Sequence, residues 1–298
     1  MTGLPFIDAH VHLWDLSRLG YAWLTPPFSD SGPNGNVSAI ASTYLLSDYR
    51  QEAANWNVVG LVHIDAGAEP AQALDETDWL QGIADREGMP NGIVAYAALE
   101  SPDAATALFD HSRRRNVRGI RQIVSWHRDA RRTYTDRDLT QDEAWRASFA
   151  LLRKYDLSFD LQAYPGQFAA MASLIERHPE TPVILNHAGT GVDGDVEWRK
   201  AMRLLAKLPN VSVKVSGLGF VYRPLDVAAV RARVLATIDI FGADRCMFAS
   251  DFPTDRLFGG FDETLLNYAH AVADFSESER RALFARNANR IYRLKLDV

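Results

Sequence analysis

The chain is poor in the features that would send it outside the cell, into a membrane or onto nucleic acid. Among its 298 residues there is one cysteine, Cys246, so no internal disulfide can form, which fits a reducing compartment. No apolar run reaches the roughly 18 residues of a membrane span, and Met1 to Pro5 is too short for a signal peptide; the expectation is a cytoplasmic protein. Basic blocks are scarce as well. The formal net charge is -6, and Arg113-Arg114-Arg115 reads as the solvated end of a helix rather than a nucleic-acid contact. A Gly-x-Gly-x-x-Gly turn after an early strand is missing, which argues against an open dinucleotide-binding sheet.

What is present is an ordinary globular composition, 47% hydrophobic and 23% charged, arranged in a strict alternation. Apolar runs that read as strands fall at 6–12, 58–64, 92–99, 117–124, 157–163, 183–186, 211–215 and 245–249. Helical periodicity separates them at about 47–56, 71–86, 104–115, 143–155, 166–178, 196–208 and 228–241, and further helices from Glu263 and Ser276 close the chain. Eight strands alternating with helices predict an α/β protein, a single (β/α)8 barrel domain over 1–298. The segment 13–42 carries Trp14, Tyr21, Trp23 and Phe28, and a loop of that length beside a strand end is expected to be a lid or pocket wall.

Reactive groups in such a barrel sit at the carboxyl ends of strands. The first strand reads Phe6-Ile7-Asp8-Ala9-His10-Val11-His12, and alternation places His10 and His12 on one face, with Asp8 continuing the polar parity and Ile7, Ala9 and Val11 opposite. Two imidazoles side by side can hold a metal or direct a water. The other strand ends offer His63 and Asp65, Arg121 and Gln122, Asp160 and Gln162, His187, Lys214, and Asp251. In Val211-Ser212-Val213-Lys214-Val215-Ser216 the valines face helices, so Lys214 points into the barrel, where an ammonium needs a carboxylate or a substrate oxygen. Three imidazoles and a carboxylate from His10, His12, His187 and Asp251 can bind or polarise a water. His63 reads as a satisfied core histidine, His127 as either a pocket or a solvated residue, and His111, His178 and His270 as helix residues without a role.

The segments Ile7-Asp8-Ala9-His10-Val11-His12-Leu13-Trp14, Asn186-His187-Ala188-Gly189, Val213-Lys214-Val215-Ser216-Gly217-Leu218 and Ala249-Ser250-Asp251-Phe252-Pro253 resemble the amidohydrolase-related branch of the amidohydrolase superfamily. Within it the chain is similar to sugar lactonases such as fuconolactonase and rhamnonolactonase, to muconolactone-type hydrolases and to pyrone dicarboxylate lactonase. The resemblance implies a hydrolase that opens a lactone, a sugar aldonolactone for preference, by general-base activation of water at the mouth of the barrel. Asp251 would take the proton from water beside His10, His12 and His187. Lys214 and Arg121 would hold the lactone oxygens, with Trp14, His127 and Gln162 as further substrate contacts.

One departure bears on the metal. Many metal-dependent relatives carry a histidine on the fifth strand, where Phe159-Asp160-Leu161-Gln162-Ala163 stands here, and the fourth strand lacks the lysine that bridges two metals. A binuclear site is therefore not expected. One divalent ion such as Zn2+ on His10, His12, His187 and Asp251, or a metal-free site in which the histidines and Lys214 polarise the carbonyl, both stay open. A metal-dependent decarboxylase of the same superfamily and a non-catalytic binding barrel are the competing readings. A small-molecule lactone is the expected partner, with no nucleic acid and no membrane, and a homodimer is left open.

Overall fold

The computed structural model describes residues 3–222 and 225–298. Met1 and Thr2, part of the short stretch weighed above as a leader, lie outside them, as do Arg223 and Pro224. Eight parallel strands follow one another in sequence order: β1 Phe6–Val11, β2 Val58–Ile64, β3 Gly92–Tyr96, β4 Val117–Ile123, β5 Ser158–Gln162, β6 Val183–Leu185, β7 Val211–Val215 and β8 Cys246–Phe248. Between them run helices α1 Leu46–Glu52, α2 Ala73–Glu87, α3 Ala104–Ser112, α4 Glu143–Phe149, α5 Phe168–Glu176, α6 Asp195–Ala206 and α7 Val227–Phe241. After β8 come α8 Phe261–Ala271, α9 Glu277–Arg281 and α10 Asn287–Ile291. The segment after β8 returns to β1, with Asp251 N–H donating to His10 O at 2.9 Å and His12 N–H to Phe252 O at 2.8 Å. The result is a nearly closed (β/α)8 barrel.

Two apolar clusters show which way each strand residue points. Phe6, Val11, Leu61, Phe159, Val213 and Phe248 pack outward against the helices. Ile7, Ala9, Val62, Ile64, Val94, Ile184, Met247 and Ala249 fill the interior with Tyr292 and Leu294 of the carboxyl-terminal segment. That segment plugs the amino-terminal end of the barrel. Gly60 and Gly92 make room for it, since a Cβ would stand 2.5 Å from Leu296 Cδ1 and 3.0 Å from Leu294 Cδ2 respectively.

The first strand does not keep simple alternation. Its pairing with β2 slips between Asp8 and Val11, where three steps on β1 face two on β2. A bulge of this kind reverses the side on which the following residues fall. Ile7 and Ala9 therefore face inward, and Asp8 does not share the histidine face as the parity predicts. It points outward instead, where its carboxylate accepts from Tyr49 Oη at 3.0 Å and from Ser250 N–H at 2.9 Å, and burial pushes it up to about 6. The predicted helix 143–155 is also divided: α4 ends at Phe149 and a tighter turn, Leu152–Tyr155, follows.

Candidate active site

His10 and His12 project from the carboxyl end of β1 toward the turn that carries Asp251 after β8. His10 Nε2 and His12 Nε2 are 3.2 Å apart, and they lie 3.4 and 3.5 Å from Asp251 Oδ1. All three side chains are buried. A tetrahedral ion with ligand bonds of about 2.0–2.1 Å has ligand–ligand edges of about 3.3 Å, so this triangle has the size of one face of a zinc site. The donor chemistry agrees. His12 Nδ1 is 2.9 Å from Ile64 O, an oxygen that can only accept, so the proton sits on Nδ1 and Nε2 keeps its lone pair. Asp251 Oδ1 has no hydrogen-bond partner although buried. Among the described residues, His10, His12 and Asp251 are the group that could hold a metal ion.

The protonation states suit ligands and bases alike. Burial, reinforced by the charge of Lys214, holds His10 well below its usual range. Burial lowers His187 to about 4, against the pull of Asp251. Burial works to raise Asp251, yet His187, His12 and Arg121 together hold it below the ordinary carboxylate value. Neutral His10 and His187 therefore stand beside an ionised Asp251.

His187 comes from the turn after β6 and stands to one side of the triangle. Its Nδ1 is 3.0 Å from Ser216 Oγ and 3.8 Å from Asp251 Oδ2, so the four-residue metal set expected from the sequence reduces to three, with His187 beside it. Both His187 and Asp251 have left-handed backbones, φ 52° and 60°, which cost a non-glycine residue about 1–2 kcal/mol. Gly217 is left-handed too, at φ 61°, and a Cβ there would lie 2.5 Å from His187 Nδ1.

Above these groups opens a cavity of about 560 Å3, lined by His12, Arg121, Gln162, His187 and Asp251, with Trp23, Asn34, Tyr96, Glu100 and Tyr134 higher on its wall. Arg121 is its one cation among the described residues, against the carboxylates of Asp65, Glu100, Asp136 and Asp251. The arginine is already engaged: Nε donates to Asp65 Oδ2 at 2.6 Å, Nη2 to Asp65 O at 2.5 Å, and Nη1 to Gln162 Oε1 at 3.3 Å. The loop after β1 forms part of the wall, as Trp23 donates Nε1–H to Ala66 O at 2.8 Å and Tyr134 reaches Asn34 across the opening at 2.6 Å.

Three of the expected substrate contacts lie elsewhere. Trp14 is fully buried behind the wall, donating to Ser42 O and packing edge-on to Trp23 at 5.4 Å; the aromatic that faces the cavity is Trp23. Lys214 is fully buried one layer below the mouth, on Asp160 Oδ2 at 2.5 Å and 3.4 Å from His10 Nδ1. His127 is 3.3 Å from Asp193 and does not line the cavity. Sequence reasoning missed Tyr96, Glu100 and Asp255. The third strand contributed no candidate because Tyr96 lies inside the apolar run 92–99 and Glu100 follows it. Asp255 lies one turn beyond Asp251 and is buried. Burial and the neighbouring Asp251 charge push its carboxyl well above the usual range.

The Amidohydrolase family model matches residues 7–294. The chain belongs to the amidohydrolase family. This amidohydrolase is 41% identical over 298 residues to the uncharacterized protein y4mH of Sinorhizobium fredii, covering 99% of this chain and 100% of that one. It is 29% identical to an L-fucono-1,5-lactonase of Burkholderia ambifaria, over 97% and 95% of the two chains. Among solved structures it is similar to an amidohydrolase from Burkholderia multivorans with bound zinc, with a TM-score of 0.80 and 25% identity over 97% and 99% of the chains. A 2,6-dihydroxybenzoate decarboxylase shares the fold at a TM-score of 0.68 and 16% identity.

Proposed function

We propose that this amidohydrolase hydrolyses the ring ester of an uncharged, hydroxyl-rich lactone of the aldonolactone kind. The observation that carries the reading is the triangle of His10, His12 and Asp251 at the floor of a cavity whose one cation among the described residues, Arg121, is spent on Asp65. Among the described lining residues, four carboxylates against one neutralised guanidinium disfavour a dicarboxylate or an aromatic acid, which would bring its own negative charge into the site. The same balance weighs against decarboxylation, whose substrate must present a carboxylate. The relatives named L-fucono-1,5-lactonase, at 29% identity, support the lactone.

In this reading Asp251, held as the anion, accepts a proton from water as the water oxygen attacks the lactone carbonyl carbon. His10, His12 and Asp251 would hold a divalent ion such as zinc, which supplies Lewis-acid polarisation and lowers the pKa of a bound water. Arg121 and His187 lie on the wall above, where N–H groups can meet the oxygen that gains charge. When the ring C–O bond breaks, the leaving oxygen takes the proton from Asp251, and the product is an open-chain hydroxy acid. The acid ionises at neutral pH, so turnover is followed with a pH indicator. A panel of aldonolactones and one dicarboxylate lactone, run with and without chelator, tests the proposal. Turnover of at least one aldonolactone and none of the dicarboxylate is expected, and the reverse preference would overturn the reading.

A further inference from the structure

The upper wall of the cavity contains a carboxylate that the proposed chemistry does not use. Glu100 follows β3 and lines the cavity, half-buried. No basic side chain pairs with it among the described residues. One of its oxygens, Oε2, accepts from Gln122 Nε2 at 2.7 Å, and Oε1 has no hydrogen-bond partner among the described residues. Gln122 is not free to turn away. Its own oxygen accepts from Leu99 N–H at 3.0 Å and from Trp145 Nε1–H at 2.8 Å, and Trp145 is fully buried on α4. Two fixed donors on the amide oxygen decide which end of Gln122 is the NH2 and commit that end to Glu100.

An ionised carboxylate has about four acceptor sites and no donor. With one site taken by Gln122 and no other donor on it among the described residues, the rest are open to water or to a ligand in the cavity that Glu100 lines. We infer that Glu100 is the specificity-determining residue of this cavity, receiving hydroxyl groups of the substrate remote from the ester, and that Gln122 is the residue that positions it. The inference rests on the lactone reading above and narrows it. A carboxylate on this wall binds O–H groups through charge-assisted hydrogen bonds and repels carboxylates in the same place. A site that meets a hydroxyl with a charged acceptor discriminates against an analogue that lacks it, because the charge-assisted hydrogen bond is lost.

The test uses two lactones with the same ring, one carrying a hydroxyl that its deoxy counterpart lacks, assayed with wild type, Glu100→Gln, Glu100→Ala and Gln122→Ala. On the hydroxylated lactone both Glu100 variants are expected to raise KM by about 10–100-fold with kcat little changed, the loss that follows removal of a charged hydrogen-bond partner. On the deoxy lactone the change is expected to be under about threefold. Gln122→Ala should give a smaller loss of the same kind, in KM and only on the hydroxylated substrate. Equal losses on both lactones, or none on either, would overturn the role of Glu100 while leaving the lactonase intact. A stronger response to an amino-substituted lactone than to the hydroxylated one would assign the carboxylate to a cation and overturn it as well. Wild type that opens no lactone would remove the functional reading itself.

Discussion

Lys214 and Asp160 meet inside the barrel with 2.5 Å between Nζ and Oδ2, and neither is exposed. Tyr292, from the carboxyl-terminal plug, closes the same oxygen at 2.7 Å. The ammonium that the sequence offers as a substrate contact is therefore half of a buried ion pair below the reacting groups. Truncating one partner of such a pair strands the other charge in a dry interior, at a cost of about 3–5 kcal/mol. Lys214→Ala should lose that much in urea unfolding, and Lys214→Met with Asp160→Leu should lose less than the single change. A single variant as stable as wild type would show that the pair is not formed.

Asp251 is the group assigned the proton. Asp251→Asn keeps the shape and removes both the base and the negative charge, so turnover should fall by about 10²- to 10⁴-fold with the thermal midpoint little changed. Hydrolysis at the wild-type rate would remove Asp251 from the mechanism.

The triangle of ligand atoms makes a separate, non-kinetic prediction. Zinc titration of chelator-treated protein should reach one equivalent, and His12→Ala should weaken that binding by at least about tenfold, as a lost ligand does. His127→Ala, outside the cavity, should leave it unchanged. Equal affinities across the three proteins would mean that any zinc is held elsewhere.

Gly217 is held in place by what a side chain would touch. A Cβ there would stand 2.5 Å from His187 Nδ1 and 3.1 Å from Asp251 Oδ2, on a left-handed backbone at φ 61°. Gly217→Ala should cost about 1–2 kcal/mol from the backbone alone and should lower activity more than stability, because His187 has to move. A variant with wild-type kcat/KM would show that His187 need not sit where it does.

His111 tests the electrostatics away from the site. It is buried on α3 with Nδ1 3.0 Å from Thr77 Oγ1, and burial, followed by the charge of Arg114, lowers it to about 4 from an ordinary 6.5. The unfolded chain binds this proton more readily than the fold. The contribution is complete above about pH 6.5, shrinks as the pH falls, and is fully lost near pH 4. Between pH 7 and 4.5 the wild type should lose about 2 kcal/mol more than His111→Gln, whose side chain does not titrate. Parallel loss in the two proteins would show that His111 is already solvated in the fold.

Much of the architecture was legible in the chain itself. The apolar run at 58–64 and the valine alternation at 211–215 match strands β2 and β7 to the residue, and the eight-fold alternation declared the barrel. His10, His12, His187 and Asp251 could be named because they end those runs. The tertiary structure alone decided what depends on neighbours far away in sequence. A bulge in β1 turned Asp8 from the histidines toward Tyr49, and no periodicity within seven residues reveals a slip that exists only against β2. Lys214 was seen to point inward, but its depth is set by Asp160, 54 positions earlier, and by Tyr292 from the last segment. Trp14 and Trp23 are equivalent as letters in one loop; packing against Tyr44 hides the first and leaves the second on the cavity wall. Glu100 acquires its meaning only through Gln122 and Trp145, which chain order keeps apart and the closing of the barrel brings together.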